Sequence, residues 1–267
     1  MMNLIRADFY RIRQSWVIYV TFAVALIASI GLIVLWTLLG PGTGDYPVNL
    51  NGVDITVPTS TVNGADSIGF LLQLPHFLLT ILVLPLVFCV AVPIFTDKTA
   101  KNDIAFGMSR TKLYVSKLIQ MAILITLLFL LYVGAGTLLA TILGGFGSVT
   151  AGFWSSLFQA LGTQLFLLIA LGCLGIFLGL AIKKPAVLTE LYFVLILLPV
   201  IIAVTASLLN VDISWLLRFD LMSSIHRAGS LILIDTHNIL IILGVGAVWM
   251  IASSAAGIAM FRKAEIK

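Results

Sequence analysis

The sequence predicts an all-α polytopic membrane protein with six transmembrane helices, organised as a single transmembrane domain over residues 1–267. Three observations carry that prediction. The chain is 61% hydrophobic and only 10% charged, where an ordinary soluble domain carries about 25% charged residues. It cannot cover a water-facing surface with polar groups, so lipid must be its solvent. Its apolar runs reach the roughly 20 residues that a helix needs to cross a bilayer. Its basic residues also fall almost entirely on one side of those runs.

Residues 1–15 precede the first span. Met2, Ile5, Phe9, Ile12 and Trp16 recur at steps of three and four, while Arg6, Arg11 and Arg13 fall off that stripe. This predicts an amphipathic N-terminal interfacial helix with its arginines toward anionic headgroups. The apolar run that follows is too long for the core of a signal peptide. It is the first predicted span, 16–39; the others are 70–95, 118–143, 157–182, 186–209 and 238–261. The second carries Pro75, Pro85 and Pro93, which kink a membrane helix and free backbone carbonyls.

Two outer segments join these spans. In 40–69, Val48 to Val57 alternates around Asn51-Gly52, which predicts a small hairpin, either a lid or a plain loop. In 210–236, Asp212, Arg218, Asp220, His226, Arg227 and Asp235 accompany short apolar runs at Trp215–Leu217 and Ser230–Ile234. Neither run can cross a bilayer. They predict two short re-entrant helices that dip into, or lie on, the outer leaflet.

Orientation follows from the basic residues. Arg6, Arg11, Arg13, Lys98, Lys101, Arg110, Lys112, Lys117, Lys183, Lys184, Arg262, Lys263 and Lys267 lie on one side, and Arg218 and Arg227 on the other. That is 13 against 2, which accounts for all 15. The basic side is cytoplasmic, which puts both termini inside.

Several chemistries are poorly served. The predicted spans hold almost no ionisable groups, whereas ion-coupled carriers place such groups near mid-membrane. Glu190 is the one acid within them, either an interfacial carboxylate or a gate or subunit contact. His76, His226 and His237 share no ligand spacing, and Cys89 and Cys173 sit in separate apolar runs, so no metal site is indicated. No span carries a zinc-protease or serine-hydrolase motif. Gly144-Gly145-Phe146-Gly147 lacks the Gly-Lys-Ser/Thr of a phosphate loop, so the chain has no ATP site of that kind. Gly172, Gly175 and Gly179, and the Ser253/Gly257 pair, allow close helix approach, either within one bundle or across a dimer seam.

Residues 96–117 form the one long charged stretch between spans on the cytoplasmic side. Ile104, Phe106 and Met108 lie among Asp97, Lys98, Lys101, Asn102, Asp103, Arg110, Lys112 and Lys117. A short helix with an apolar knob ringed by both signs of charge suits a protein groove better than a lipid surface, which favours basic residues alone. A solvated loop is the other reading.

The run Gly107-x-Ser109-Arg110, with Lys117 entering a span and Asp97 and Asn102 upstream, resembles the first cytoplasmic loop of permease subunits of type-2 ABC exporters. The likeness extends to the basic start Asn3-Leu4-Ile5-Arg6-Ala7-Asp8-Phe9-Tyr10, the six spans and the two-part outer segment. The chain is most similar to compact permeases of Gram-positive bacteria that handle peptide antibiotics, lantibiotics or toxins. The family often has Glu at the place of Asp97 and Gly-Thr at that of Asp103-Ile104.

The resemblance implies a homodimer of permeases in the bacterial plasma membrane, served by two separate ABC-type ATPase subunits. No cofactor belongs to the chain itself; ATP and Mg would sit on the partner. Asp97, Lys98, Lys101, Asp103, Phe106, Gly107 and Arg110 would dock the ATPase, beside the interfacial helix with Arg6, Phe9, Arg11 and Arg13. The cargo implied is an amphipathic peptide or lipophilic antimicrobial, and the chain would not be an enzyme on its own. No nucleic-acid partner is expected. The alternatives are a non-transporting immunity or signalling protein and, behind it, a secondary transporter.

Overall fold

A computed structural model describes residues 9–39, 46–50, 53–57, 62–73, 76–93, 109–149, 152–182, 184–209, 211, 214–229 and 236–263. Residues 9–14 form a short helix, α1, which breaks at Ser15 before α2 (Trp16–Leu39). The break turns the predicted stripe: Ile12 is buried and Phe9 half-buried, but Trp16 is 77% exposed. Trp16 therefore belongs to the lipid-facing surface of α2, not to the apolar face of α1.

The predicted hairpin is present. β1 (Tyr46–Leu50) and β2 (Val53–Val57) pair antiparallel, with Leu50 opposite Val53. Asn51-Gly52, which join the two strands in the sequence, lie outside the described residues. Among the described residues the regular structure is thus helical apart from one small hairpin in the 40–69 segment.

The second predicted span differs most from expectation. In place of one helix over 70–95 there are two, α3 (Gly64–Gln73) and α4 (His76–Ala91), bent by 65° at the break. Pro75 supplies the cause, since it removes a donor and clashes with the preceding turn. The first helix starts earlier than predicted because its N-terminus is well capped. The Asn63 side chain accepts from Asp66 N–H at 2.8 Å, and Gly64 and Ala65 donate to the carbonyls of Gly145 and Phe146, both at 2.9 Å. Those donors would otherwise be orphaned.

The remaining helices are α5 (Arg110–Gly144), α6 (Phe153–Ile182), α7 (Pro185–Leu208), the single turn α8 (Ser214–Leu217), α9 (Leu221–Gly229) and α10 (Thr236–Lys263). Among the described residues, α2, α5, α6, α7 and α10 are long and apolar enough to cross a membrane. The bent α3–α4 pair makes a sixth crossing if it is one broken span. The third predicted span, 118–143, is the inner part of a longer helix that begins at Arg110, N-capped by Ser109.

Packing centres on α6, with 61% of its most apolar stretch buried. Its small residues explain this position. A Cβ on Gly172 would strike Ile125 and Met121 of α5, one on Gly175 would strike Val87, and one on Gly179 would strike Ala91, both of α4. Gly257 of α10 likewise faces the Tyr114 ring of α5. The predicted small-residue seams therefore pack the bundle of one chain, where near-backbone approach raises van der Waals contact. Buried side chains such as Leu71, Leu86, Phe129, Leu167 and Ile176 fill the space between.

Candidate functional site

Two corners of the bundle gather polar chemistry, and α10 touches both. The inner corner lies where α5 begins and α10 ends. Arg110 donates through Nη1 to the Arg262 carbonyl at 2.8 Å and toward that of Phe261 at 3.5 Å. Arg262 Nε reaches Thr111 Oγ1 at 3.3 Å. A helix C-terminus exposes unsatisfied carbonyls and the negative end of its dipole, so a guanidinium there closes the helix. The exit of the 96–117 segment is in this way clasped to the last helix.

A buried polar stack continues inward along α5. Lys117 is only 9% exposed; its Nζ donates to Gln120 Oε1 at 3.5 Å, and Gln120 Nε2 to Ser116 Oγ at 3.4 Å. Lys117 thus points into the bundle rather than toward headgroups. At the same end of the molecule, Ser15 Oγ and Cys89 Sγ lie 3.5 Å apart, tying the α1–α2 break to α4.

Of the predicted docking residues, Arg110 is placed at this corner, half-buried. Asp97, Lys98, Lys101, Asp103, Phe106 and Gly107, and Arg6 of the interfacial helix, lie outside the described residues. Arg11 and Arg13 are exposed on α1. Glu190 is exposed in the second turn of α7, flanked by exposed Val187, Leu191 and Val194. Among the described residues it makes no side-chain hydrogen bond or ion pair.

The outer corner is built by α8 and α9. Asp220 caps α9, accepting from Ser223 N–H at 2.7 Å, and its carbonyl accepts from Ser224 Oγ at 2.8 Å. Leu221, Met222, Ile225 and Ala228 face inward, and α9 packs on α6, α10 and α3. At its end Gly229 has room for no side chain, because the Leu72 carbonyl and Gln164 Nε2 stand against its Cα. Gln164 itself donates to that carbonyl at 2.9 Å. The carbonyl lies just before the Pro75 break, where helical donors run out. A second side chain ties α7 to α4: Tyr192 Oη donates to Thr80 O at 2.7 Å.

Charge at the outer corner is uneven. Burial and the neighbouring Arg227 hold the His226 imidazole below its ordinary range, which favours the neutral ring. Arg227 is itself lowered by burial and by the like charge of Arg218, against an opposing pull from Asp220.

Gln120 and Gln164, uncharged amides inside long apolar runs, were the signal in the sequence for these buried networks. Nothing in the sequence marked Leu72 O or Thr80 O, because backbone groups carry no residue-type signal. Among the described residues, no three His, Cys, Asp or Glu side chains gather as a metal site. Comparison with protein-family models finds no match, and comparison with curated proteins finds no significant relative.

Proposed function

We propose that this chain is the membrane subunit of an ATP-driven exporter, with a separate ATPase docking on residues 96–117 and a second copy completing the transport path. In this reading α3–α4 is one broken span, which gives six crossings with both termini in the cytoplasm. The cargo is an amphipathic peptide or lipophilic antimicrobial, and ATP and Mg are held by the partner.

The observation that carries the reading is the inner corner. The charged segment runs into α5 without a break at Lys117, and Arg110 joins that entry to the end of α10 through the Arg262 carbonyl. A push on the segment would therefore move two membrane helices together. The 13-to-2 distribution of basic residues supports a cytoplasmic place for this corner.

The test is co-expression with candidate ABC-type ATPases. A detergent-stable complex is expected, with Phe106→Ala and Arg110→Glu uncoupling ATP hydrolysis from transport. Unchanged assembly and transport in both variants would remove the docking assignment.

A further inference from the structure

The second site lies at the outer corner, and its depth is the unexpected feature. Trp249 Nε1 donates to the Phe219 carbonyl at 3.3 Å. Trp249 is 13 residues before Arg262 (262 − 249), whose carbonyl Arg110 holds at the cytoplasmic end of α10. At 1.5 Å per residue that separation is about 20 Å. The other end of α9 rests on Gln164, 18 residues before the cytoplasmic end of α6 at Ile182 (182 − 164). That level is about 27 Å from the end. Both values are less than the roughly 30 Å hydrocarbon thickness, so with these helix ends at the inner face of a bilayer the Arg218–Arg227 stretch falls at membrane depth rather than above it.

Ionisable groups at such depth are costly and mark functional sites by default. Asp220 is engaged in capping α9. Arg218 is exposed, and among the described residues its side chain makes no hydrogen bond. Around it Trp215 and Phe219 are 64% and 65% exposed, and Leu216 is 45% exposed. A guanidinium set in an exposed apolar collar matches a ligand with an anionic head and a hydrocarbon body. A free inorganic anion would satisfy the charge alone and leave the collar without a role.

We propose that α8 and α9 form a binding site for an anionic amphipath, with Arg218 taking a phosphate or carboxylate head, Arg227 reinforcing the field, and Trp215, Leu216 and Phe219 holding the hydrocarbon. Arg218 gives the head a paired hydrogen-bond fork, which lysine cannot supply. The site is a property of this chain alone and stands whether or not the chain exports anything.

The experiment uses the full chain in phosphatidylcholine vesicles, with trace spin-labelled phosphatidylglycerol or phosphatidylcholine as the probe. The motionally restricted fraction reports association with the protein surface. The cytoplasmic basic residues supply a background preference for phosphatidylglycerol, so the score is the part lost on substitution. Arg218→Gln is expected to lower the preference about fivefold, as expected for one basic group at a lipid surface, and Arg218→Lys, which keeps the charge but loses the fork, to lower it by less. Arg218 is exposed, so these variants should keep the wild-type elution profile in detergent. Should they not, quenching of tryptophan fluorescence by brominated phosphatidylglycerol, compared with brominated phosphatidylcholine and scored as the part lost in Trp215→Phe with Arg218 intact, gives the same answer. Equal preference in wild type and Arg218→Gln, or no selective quenching, would overturn the proposal. Displacement of the labelled lipid by inorganic phosphate at constant ionic strength would overturn it too, by showing a free-anion site only.

Discussion

The two ends of α10 meet arginine in opposite ways. At one end Arg110 donates to backbone carbonyls at a helix terminus. At the other corner Arg218 is exposed beside α9 and Arg227 is half-buried on it. The first arrangement completes a helix, whereas the second leaves charge beside exposed apolar side chains. In the two proposals above, the first is a joint that would transmit movement and the second a site that would bind a ligand.

Removing the seat of α9 should break this contrast most strongly. Gly229→Val would drive a side chain into the Leu72 carbonyl, at a cost of about 3 kcal/mol or more for overpacking against backbone. The expected readout is a clear fall in the detergent melting temperature, with loss of the lipid preference assigned to Arg218. Gln164→Leu should cost less, about 1 kcal/mol, since it deletes one hydrogen bond inside a membrane bundle. It leaves the Leu72 carbonyl without its side-chain donor, so amide exchange should rise at the α3–α4 break and leave the inner corner unchanged.

Arg110→Gln acts at the other end. Losing the charge at the end of α10 should cost roughly 0.5–1 kcal/mol, seen as faster exchange near Phe261 and Arg262 while α9 stays protected. The smallest effect is expected from pH. His226 has a folded pKa below the ordinary value of about 6.5. Its contribution to stability is therefore complete above that value and is lost as pH falls through the lowered folded pKa. Melting temperature should drop on acidification, and His226→Gln should remove that part of the drop.

Much of the fold was legible in the sequence because lipid imposes simple rules. Run length located the spans, alternation around Asn51-Gly52 located the hairpin, and Pro75 announced trouble in the second span. What could not be read was depth and neighbourhood. α6 and α7 are similarly apolar as sequences, yet 61% of one apolar stretch is buried and 17% of the other. Gly172, Gly175 and Gly179 admit neighbours to α6, whereas α7 contains no glycine and keeps Val194, Ile201 and Val204 on the surface. The small-residue spacing was visible, but its partner was not. Likewise 210–236 showed its charges plainly, and the Trp249–Phe219 contact that ties Arg218's neighbour to the middle of α10 was not visible. For the inner corner, sequence marked Arg110 as important; its grip on the Arg262 carbonyl is a tertiary contact that no local pattern encodes.

The most direct test of the exporter reading is to silence the motor without touching this chain. Vesicles containing the chain and its docked ATPase should move a fluorescent amphipath only while ATP is hydrolysed, and an ATPase-inactive partner should abolish that flux. Full activity with the inactive partner would contradict the account and favour a protein that binds its target without transport.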